Sequence, residues 1–314
     1  MTPISPTPLA VHGLRKRYGD VIAVDGLDLE IPPGECFGLL GPNGAGKTTT
    51  IEICEGLLEA DEGDVSVLGL TWQQDEKALR QRLGIQLQDT QLGEKLTVIE
   101  TLRLFRSFYD AGTDVNDVIS RVQLEEKRDA RVGKLSGGQK QRLALACSIV
   151  GDPDLLFLDE PTTGLDPQSR RQLWDLIEEF KSTGKTVVLT THYMDEAEIL
   201  CDRVAIVDHG KIIALGSPRQ LIDSLGAEHV VEFALMDGQA GAVSPEDLRS
   251  LPGVRDVRAL DVGFELRVAE LHRAVPGLLT LLAQRRLELS KLTTHSATLE
   301  DVFVALTGRQ LRDE

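Results

Sequence analysis

Residues 41–48 read Gly-Pro-Asn-Gly-Ala-Gly-Lys-Thr, an instance of G-x-x-x-x-G-K-[ST], and they lie between an apolar run, Cys36 to Leu40, and a stretch from Lys47 to Leu58 that can be helical. A strand that breaks into a glycine loop and resumes as a helix aims successive backbone N–H groups and the positive end of the helix at one point. That arrangement suits a phosphate group. Gly41, Pro42, Asn43, Gly44, Ala45 and Gly46 are therefore candidate phosphate contacts. Lys47 is placed to reach the β and γ phosphates, and the Thr48 hydroxyl is an oxygen ligand suited to Mg²⁺.

The loop also restricts the fold, because it needs a strand before it and a helix after it. Leu155-Leu156-Phe157-Leu158 is too short for a helix and lacks polar alternation, so it fits a strand buried on both faces of a parallel sheet. It ends in Asp159 and Glu160, whose carboxylates then emerge at the carboxyl end of the strand, where open α/β sheets bind ligands. Asp159 suits a metal shell and Glu160 a general base for water. Helices predicted at 168–180 and 194–200 alternate with strands at 186–190 and 203–207, which implies a parallel sheet covered on both sides. Further strands are predicted at 27–31, 65–68 and 84–87. Helices at 97–109 and 139–150 belong to a helix-rich segment of about 89–150.

Past Gly216-Ser217-Pro218 the pattern changes. A short helix reaches Leu225, after which strand 229–235, helix 245–251, strands 254–260 and 263–268, helix 271–284 and strand 287–292 give the order βαββαβ. This matches a small split-βαβ sandwich of ferredoxin-like topology, followed by an amphipathic helix at 299–306. The boundary is placed at Gly226, giving units 1–226 and 227–314, in keeping with a length of 314 residues at about 100 to 200 per domain.

Charge and cysteine usage narrow the function classes. The net charge of −16 argues against a nucleic-acid surface. No segment has the roughly 20 mostly apolar residues needed to span a bilayer, and the N-terminus lacks a basic region followed by an apolar core, so a cytoplasmic chain is expected. Cys36, Cys54, Cys147 and Cys201 are scattered without C-x-x-C spacing and read as small buried hydrophobes. Trp174, at helical spacing with Leu173 and Ile177, reads as packing.

Leu135-Ser136-Gly137-Gly138-Gln139 adds a hydroxyl and open N–H groups at a second helix start. With this element the chain resembles the ATP-binding subunits of ABC transporters over about residues 8 to 225. GPNGAGKTT, ending in Thr49, is similar to Walker A, LSGGQ to the family signature and LLFLDEP to Walker B. Gly164-Leu165-Asp166 resembles the D-loop, and His192 in TTHYMDEAE the switch histidine. The resemblance implies ATP and Mg²⁺ as cofactors, with metal contacts from Thr48, Asp159 and Gln88. It implies catalytic roles for Glu160, His192, Lys47 and Gln88, and nucleotide contacts from Tyr18 and Thr49. It further implies a head-to-tail homodimer, in which Ser136, Gly137, Gly138, Gln139 and Asp166 of one copy complete the site of the other. Gln86 and Gln88 compete for the Q-loop position, and the register with Leu83-Gly84 favours Gln88.

The segment MDEAEILCDRVAIVDHGKIIALGSP, together with an extra domain ending SATLEDVFVALTGRQLRDE, resembles the drug-export type of ABC-2 subunit. That resemblance implies a separate integral membrane permease, a drug-like or lipid-like cargo contacted there, and a position on the cytoplasmic face of the membrane. A soluble ABC-type ATPase acting on ribosomes, nucleic acid or cluster assembly is the alternative. One set of motifs without a coiled-coil insert weighs against it.

Overall fold

A computed structural model describes residues 7–88, 90–236, 242–260 and 262–308. Packing divides the chain into one unit ending at Ser217 and another beginning at Pro218. In chain order the first unit opens with β1 (Leu9–Tyr18), β2 (Val21–Ile31), β3 (Cys36–Leu40), α1 (Lys47–Cys54), β4 (Glu62–Val67), α2 (Trp72–Arg82) and β5 (Leu83–Gln86). Three helices follow, α3 (Val98–Arg106), α4 (Val115–Arg121) and α5 (Gly137–Ile149). It closes with β6 (Leu155–Asp159), α6 (Pro167–Ser182), β7 (Thr186–Thr191), α7 (Met194–Leu200), β8 (Arg203–Asp208) and β9 (Lys211–Gly216).

Two sheets result. The larger has the order β5-β6-β7-β3-β8-β9, parallel except for the edge pair β8 and β9, and the smaller is antiparallel in the order β2-β1-β4. Every residue of β3, β6 and β7 is buried, including Thr186, Thr190 and Thr191 of β7 and Asp159 of β6, as befits strands with both faces covered. Leu9, Val11, Leu27 and Ile31 of the small sheet share one core with Phe37, Leu39, Phe157 and Val188 of the large one, and with Ile51 of α1. Register fixes what emerges at the carboxyl edge. Leu40 lies beside Thr191, and Asp159 beside Thr190, so the loop after β3, the carboxylates ending β6 and the residue after β7 converge.

The second unit comprises α8 (Pro218–Asp223), β10 (His229–Leu235), α9 (Pro245–Arg249), β11 (Val254–Ala259), β12 (Phe264–Val268), α10 (Leu271–Gln284), β13 (Leu289–Ser296) and α11 (Leu299–Thr307). Its sheet runs β11-β12-β10-β13 with antiparallel neighbours, the strand order of a split βαβ sandwich. Phe233, Leu266 and Val268 pack there with Leu248, Ala274 and Leu278 of α9 and α10.

The expected boundary at Gly226 falls inside this unit, because α8 packs against α11 and its Leu221 is buried. Other bounds move as well, β2 starting at Val21 rather than Leu27 and α3 ending at Arg106 rather than Tyr109, and two of the shifts have a clear cause. Helix α1 stops at Cys54 rather than Leu58, since Gly56 takes a left-handed φ of 73° with the Trp72 ring against its Cα. Strand β13 continues to Ser296 because its polar residues 293–296 pair with β10 on an exposed strand. Among the described residues no helix is long and apolar enough to cross a membrane.

Candidate functional site

The loop after β3 is shaped by positions that tolerate no side chain. Gly46 has φ of 101°, and a Cβ there would lie 2.2 Å from the Ala23 carbonyl oxygen. A Cβ on Gly41 would lie 2.2 Å from the Val207 carbonyl oxygen. The backbone can therefore turn under its own helix only with glycine at these points. Gly210 N–H donates to the Ala45 carbonyl (2.9 Å) and Ala45 N–H to that of Pro42 (3.2 Å), which fixes the loop from both sides. Lys47 is 4 % exposed, and its Nζ donates to the carbonyls of Gly41 (2.7 Å) and Pro42 (3.0 Å). Burial lowers its pKa, while the nearby charges of Glu160 and Asp159 favour the ammonium. Thr48 remains exposed at the start of α1, and Thr49 is half-buried.

The two carboxylates after β6 are held differently. Asp159 is buried, accepts a short hydrogen bond from the Thr190 hydroxyl, and lies 3.5 Å from Thr48 Oγ1. Burial pushes its carboxyl up, opposed first by Thr190. Glu160 takes a left-handed φ of 46°, uncommon for a residue other than glycine, and Thr190 secures it by accepting its N–H through Oγ1 (3.0 Å) and the carbonyl (3.2 Å). Three groups converge on Glu160 Oε2: His192 Nδ1 at 3.2 Å, Gln88 Nε2 at 3.3 Å and the Thr163 hydroxyl at 3.1 Å. Lys47 Nζ lies 3.8 Å from Oε1. The contact with His192 dominates in holding the Glu160 carboxyl below the usual range, against the upward push of burial, so Glu160 is ionised at neutral pH.

Of the two competing glutamines, Gln86 is buried and donates to Gln141 of α5, whereas Gln88 turns to Glu160. Ser136 and Gln139 spend their polar groups on each other in a capping box that starts α5. Ser136 and Gly137 are exposed, and open space surrounds Gly137. Gly138 packs on Ser169, where a Cβ would meet Oγ at 2.4 Å; Ser169 in turn donates to Asp166, the cap of α6, at 2.6 Å. The signature segment and the D-loop are thus joined to each other. Tyr18 is 48 % exposed at the end of β1, with Lys16 Nζ 5.8 Å from its ring centre.

The donor set suits a hard cation. Thr48 and Asp159 supply oxygens within reach of one another, and Gln88 adds an amide. Among the described residues there is no cluster of His, Cys, Asp and Glu that would select a softer metal.

Besides Asp159 and Glu160, five acids are buried among the described residues, Glu35, Glu55, Glu196, Glu265 and Asp301, none of them singled out by sequence reasoning, and Glu55 and Glu196 are the most deeply buried of the five. Glu55 is 2 % exposed with neither carboxylate oxygen hydrogen-bonded, and it lines a cavity of about 490 Å³ with Trp72, Ile85, Phe105, Phe108 and Tyr109. Glu196 is fully buried and accepts a hydrogen bond from Trp174 Nε1 at 3.1 Å, so Trp174 does more than pack. Glu55 caps the end of α1 and Glu196 lies on α7, and nothing in the neighbouring sequence marks either as inward-facing.

The family model for ABC transporters matches residues 24–163, a span that contains the loop, the signature segment and both carboxylates. The chain is 40% identical to a Nod factor export ATP-binding protein I from Burkholderia orbicola (strain AU 1054) over 317 aligned positions, covering 99% of this chain and 100% of that protein. It is similar to a solved ATP-binding subunit of an ABC transporter, at 29% identity and a TM-score of 0.64, over 70% of this chain and 94% of that one. A second solved structure, a dimeric bacterial ABC transporter cassette, matches at 25% identity and a TM-score of 0.60, over 67% and 98%. The phosphate loop, the paired carboxylates and the histidine facing them are thus carried by a member of the family of ABC transporter ATP-binding subunits, an ATPase coupled to transport.

Proposed function

We propose that the chain hydrolyses ATP to drive export of a drug-like or lipid-like substrate through a separate membrane subunit. The observation that carries the chemistry is the placement of the Glu160 carboxylate, met by His192 and Gln88 beside the buried Lys47. The loop N–H groups and Lys47 bind the phosphates, and Glu160 Oε2 accepts a proton from the water that attacks the γ-phosphorus. Attack forms the new P–O bond as the bond to the β-phosphate oxygen breaks. His192 and Lys47 stabilise charge on the transferred group. Mg²⁺, held by Thr48, Asp159 and Gln88, would neutralise charge on the β and γ oxygens.

The exposed Ser136-Gly137 edge supports a head-to-tail homodimer, since it offers open N–H groups to nucleotide held by a second copy. Tyr18, exposed at a strand end, is the candidate adenine-stacking ring. ATP then favours the closed dimer, and the products favour it less, which gives the cycle its direction. The apolar cavity around Glu55 adjoins β5, the strand leading to Gln88, and is the surface on which a permease segment would sense that glutamine. Export is supported by relatives named for Nod factor export that align along the whole chain. A place at the cytoplasmic face of the membrane follows from that pairing.

Affinity purification of the chain from gently solubilised membranes tests this reading. A polytopic membrane protein recovered in roughly equal amount is expected. Ribosomal or nucleic-acid components in its place would leave the ATPase chemistry standing and overturn the transport assignment.

A further inference from the structure

Glu55 ends α1, its N–H donating to the Ile51 carbonyl at 2.8 Å, and its side chain lies in the wall of the cavity of about 490 Å³. It is 2 % exposed, and neither carboxylate oxygen has a hydrogen-bond partner. The polar neighbours that line the same cavity direct their donors elsewhere. Trp72 Nε1 donates to the Cys54 carbonyl at 2.8 Å, Gln81 Nε2 to that of Phe108 at 3.0 Å, the Ser148 hydroxyl to that of Leu145 at 2.8 Å and the Tyr109 hydroxyl to that of Leu83 at 3.4 Å. Glu76 holds the Arg80 guanidinium at the exposed rim through two bonds of 2.9 and 2.7 Å, and Lys77, exposed on the same helix, makes no hydrogen bond to Glu55. A buried acceptor that its own chain leaves unmet calls for a donor from outside.

The surroundings specify the kind of donor. Glu55 stands at the carboxyl end of α1, where the helix carries partial negative charge. Burial, reinforced by the charges of Asp159 and Glu52, lets the carboxyl keep its proton up to about pH 8, and the negative field that favours the proton favours any other cation in its place. Aromatic and aliphatic side chains make up the rest of the wall, and at its mouth Leu57 and Phe108 are 52 % and 61 % exposed. Exposed apolar groups around a buried acid match a segment that is apolar except for one cation. Lys and Arg fit that description, since their stems are apolar up to the charge and their heads are attracted to aromatic faces.

We propose that Glu55 is the residue by which this cavity recognises the membrane subunit: an apolar segment of that subunit inserts a Lys or Arg side chain whose head group donates to the Glu55 carboxylate. The inference rests on the transport function proposed for the chain and adds to it the chemistry of the contact. It accounts for an acid kept at a position where it destabilises the free chain. Ile85 of β5 lines the same cavity three residues before Gln88, so the contact lies beside the strand that leads to Glu160.

The test puts a photoreactive benzophenone side chain in place of Leu57 in the full chain, crosslinks it in native membranes, and identifies the captured segment by mass spectrometry. The captured subunit is then purified in detergent and titrated with labelled parent and Glu55→Gln chains. The segment is expected to belong to a polytopic membrane protein and to carry a Lys or Arg among apolar residues. Glu55→Gln keeps the shape and cannot ionise, so it is expected to weaken association at least about tenfold. Replacing the captured Lys or Arg by Met is expected to do the same, and the two changes together to weaken association little beyond either alone. That partner-side substitution keeps the proposal refutable should Glu55→Gln fold poorly. Association of Glu55→Gln within about twofold of the parent, a captured segment without Lys or Arg, or losses that multiply in the double variant would overturn the proposal and leave the transport function standing. Capture of no polytopic membrane protein would overturn both.

Discussion

Replacing Glu55 by Gln should stabilise the protein by an amount that grows with pH. Both Glu55 oxygens are buried and without hydrogen-bond partners, and burial, with the charges of Asp159 and Glu52, pushes its carboxyl from an ordinary value near 4.5 up to about 8. Below about pH 4.5 the group is protonated in both folded and unfolded chains and contributes nothing to the pH dependence. Between the two values the unfolded chain is ionised and the folded chain is not, so stability falls by about 1.4 kcal/mol per pH unit as pH rises, and it levels off above about 8. At pH 7 the loss is therefore about 3 kcal/mol. Gln resembles the protonated acid in shape and cannot ionise, so it escapes that loss. Urea denaturation of parent and variant between pH 5 and 9 reads the difference directly, and the two curves should separate by about 3 to 4 kcal/mol across the range. Parallel curves would refute the reasoning, because they would mean that Glu55 ionises in the folded protein as easily as in the unfolded one. A residue kept at such a cost in the wall of an apolar cavity fits a binding role there, in line with the trade of stability for function.

Other perturbations have outcomes as definite. Gly46→Ala places a methyl 2.2 Å from the Ala23 carbonyl in a left-handed backbone, so it should destabilise the fold by at least about 1 to 2 kcal/mol and weaken ATP binding tenfold or more in an equilibrium titration. Ser136→Ala removes the capping box of α5, which should cost about 1 kcal/mol in denaturant unfolding and abolish ATP-dependent dimerisation while a single copy still binds nucleotide. Truncation after Ser217 should leave a monodisperse, nucleotide-binding unit, whereas truncation after Gly226 strands α8 without α11 and exposes Leu221, which light scattering would report as association.

The parts legible in the sequence are those where one physical requirement acts over a few adjacent residues. The glycine loop, the apolar strands β3 and β6 and the carboxylates ending β6 each state their environment locally, and the register of a parallel sheet then brings them together. Strand β1 was harder to read because Gly13, with φ of 58°, sits in a bulge that breaks the alternation of Leu9, Val11 and Leu14. Strand β9 is an edge strand whose half-exposed residues give little contrast. The choice between Gln86 and Gln88 depends on where β5 ends and on Gln141 of α5, a partner distant in sequence. Glu55 and Glu196 were illegible for the same reason: burial of an acid is decided by elements that close over it from elsewhere in the chain. The boundary at Gly226 was misplaced because the packing of α8 on α11 joins segments far apart in sequence.

The central claim is that Glu160 is the base for hydrolysis and has no part in holding nucleotide. The direct measurement is Glu160→Gln, assayed for steady-state phosphate release and, by size-exclusion chromatography with ATP and Mg²⁺, for dimerisation. Turnover should fall by about 10²-fold or more, ATP should bind at least as tightly as in the parent, and a stable ATP-bound dimer should accumulate. A variant that releases phosphate at the parent rate, or that loses ATP binding together with turnover, would contradict the account.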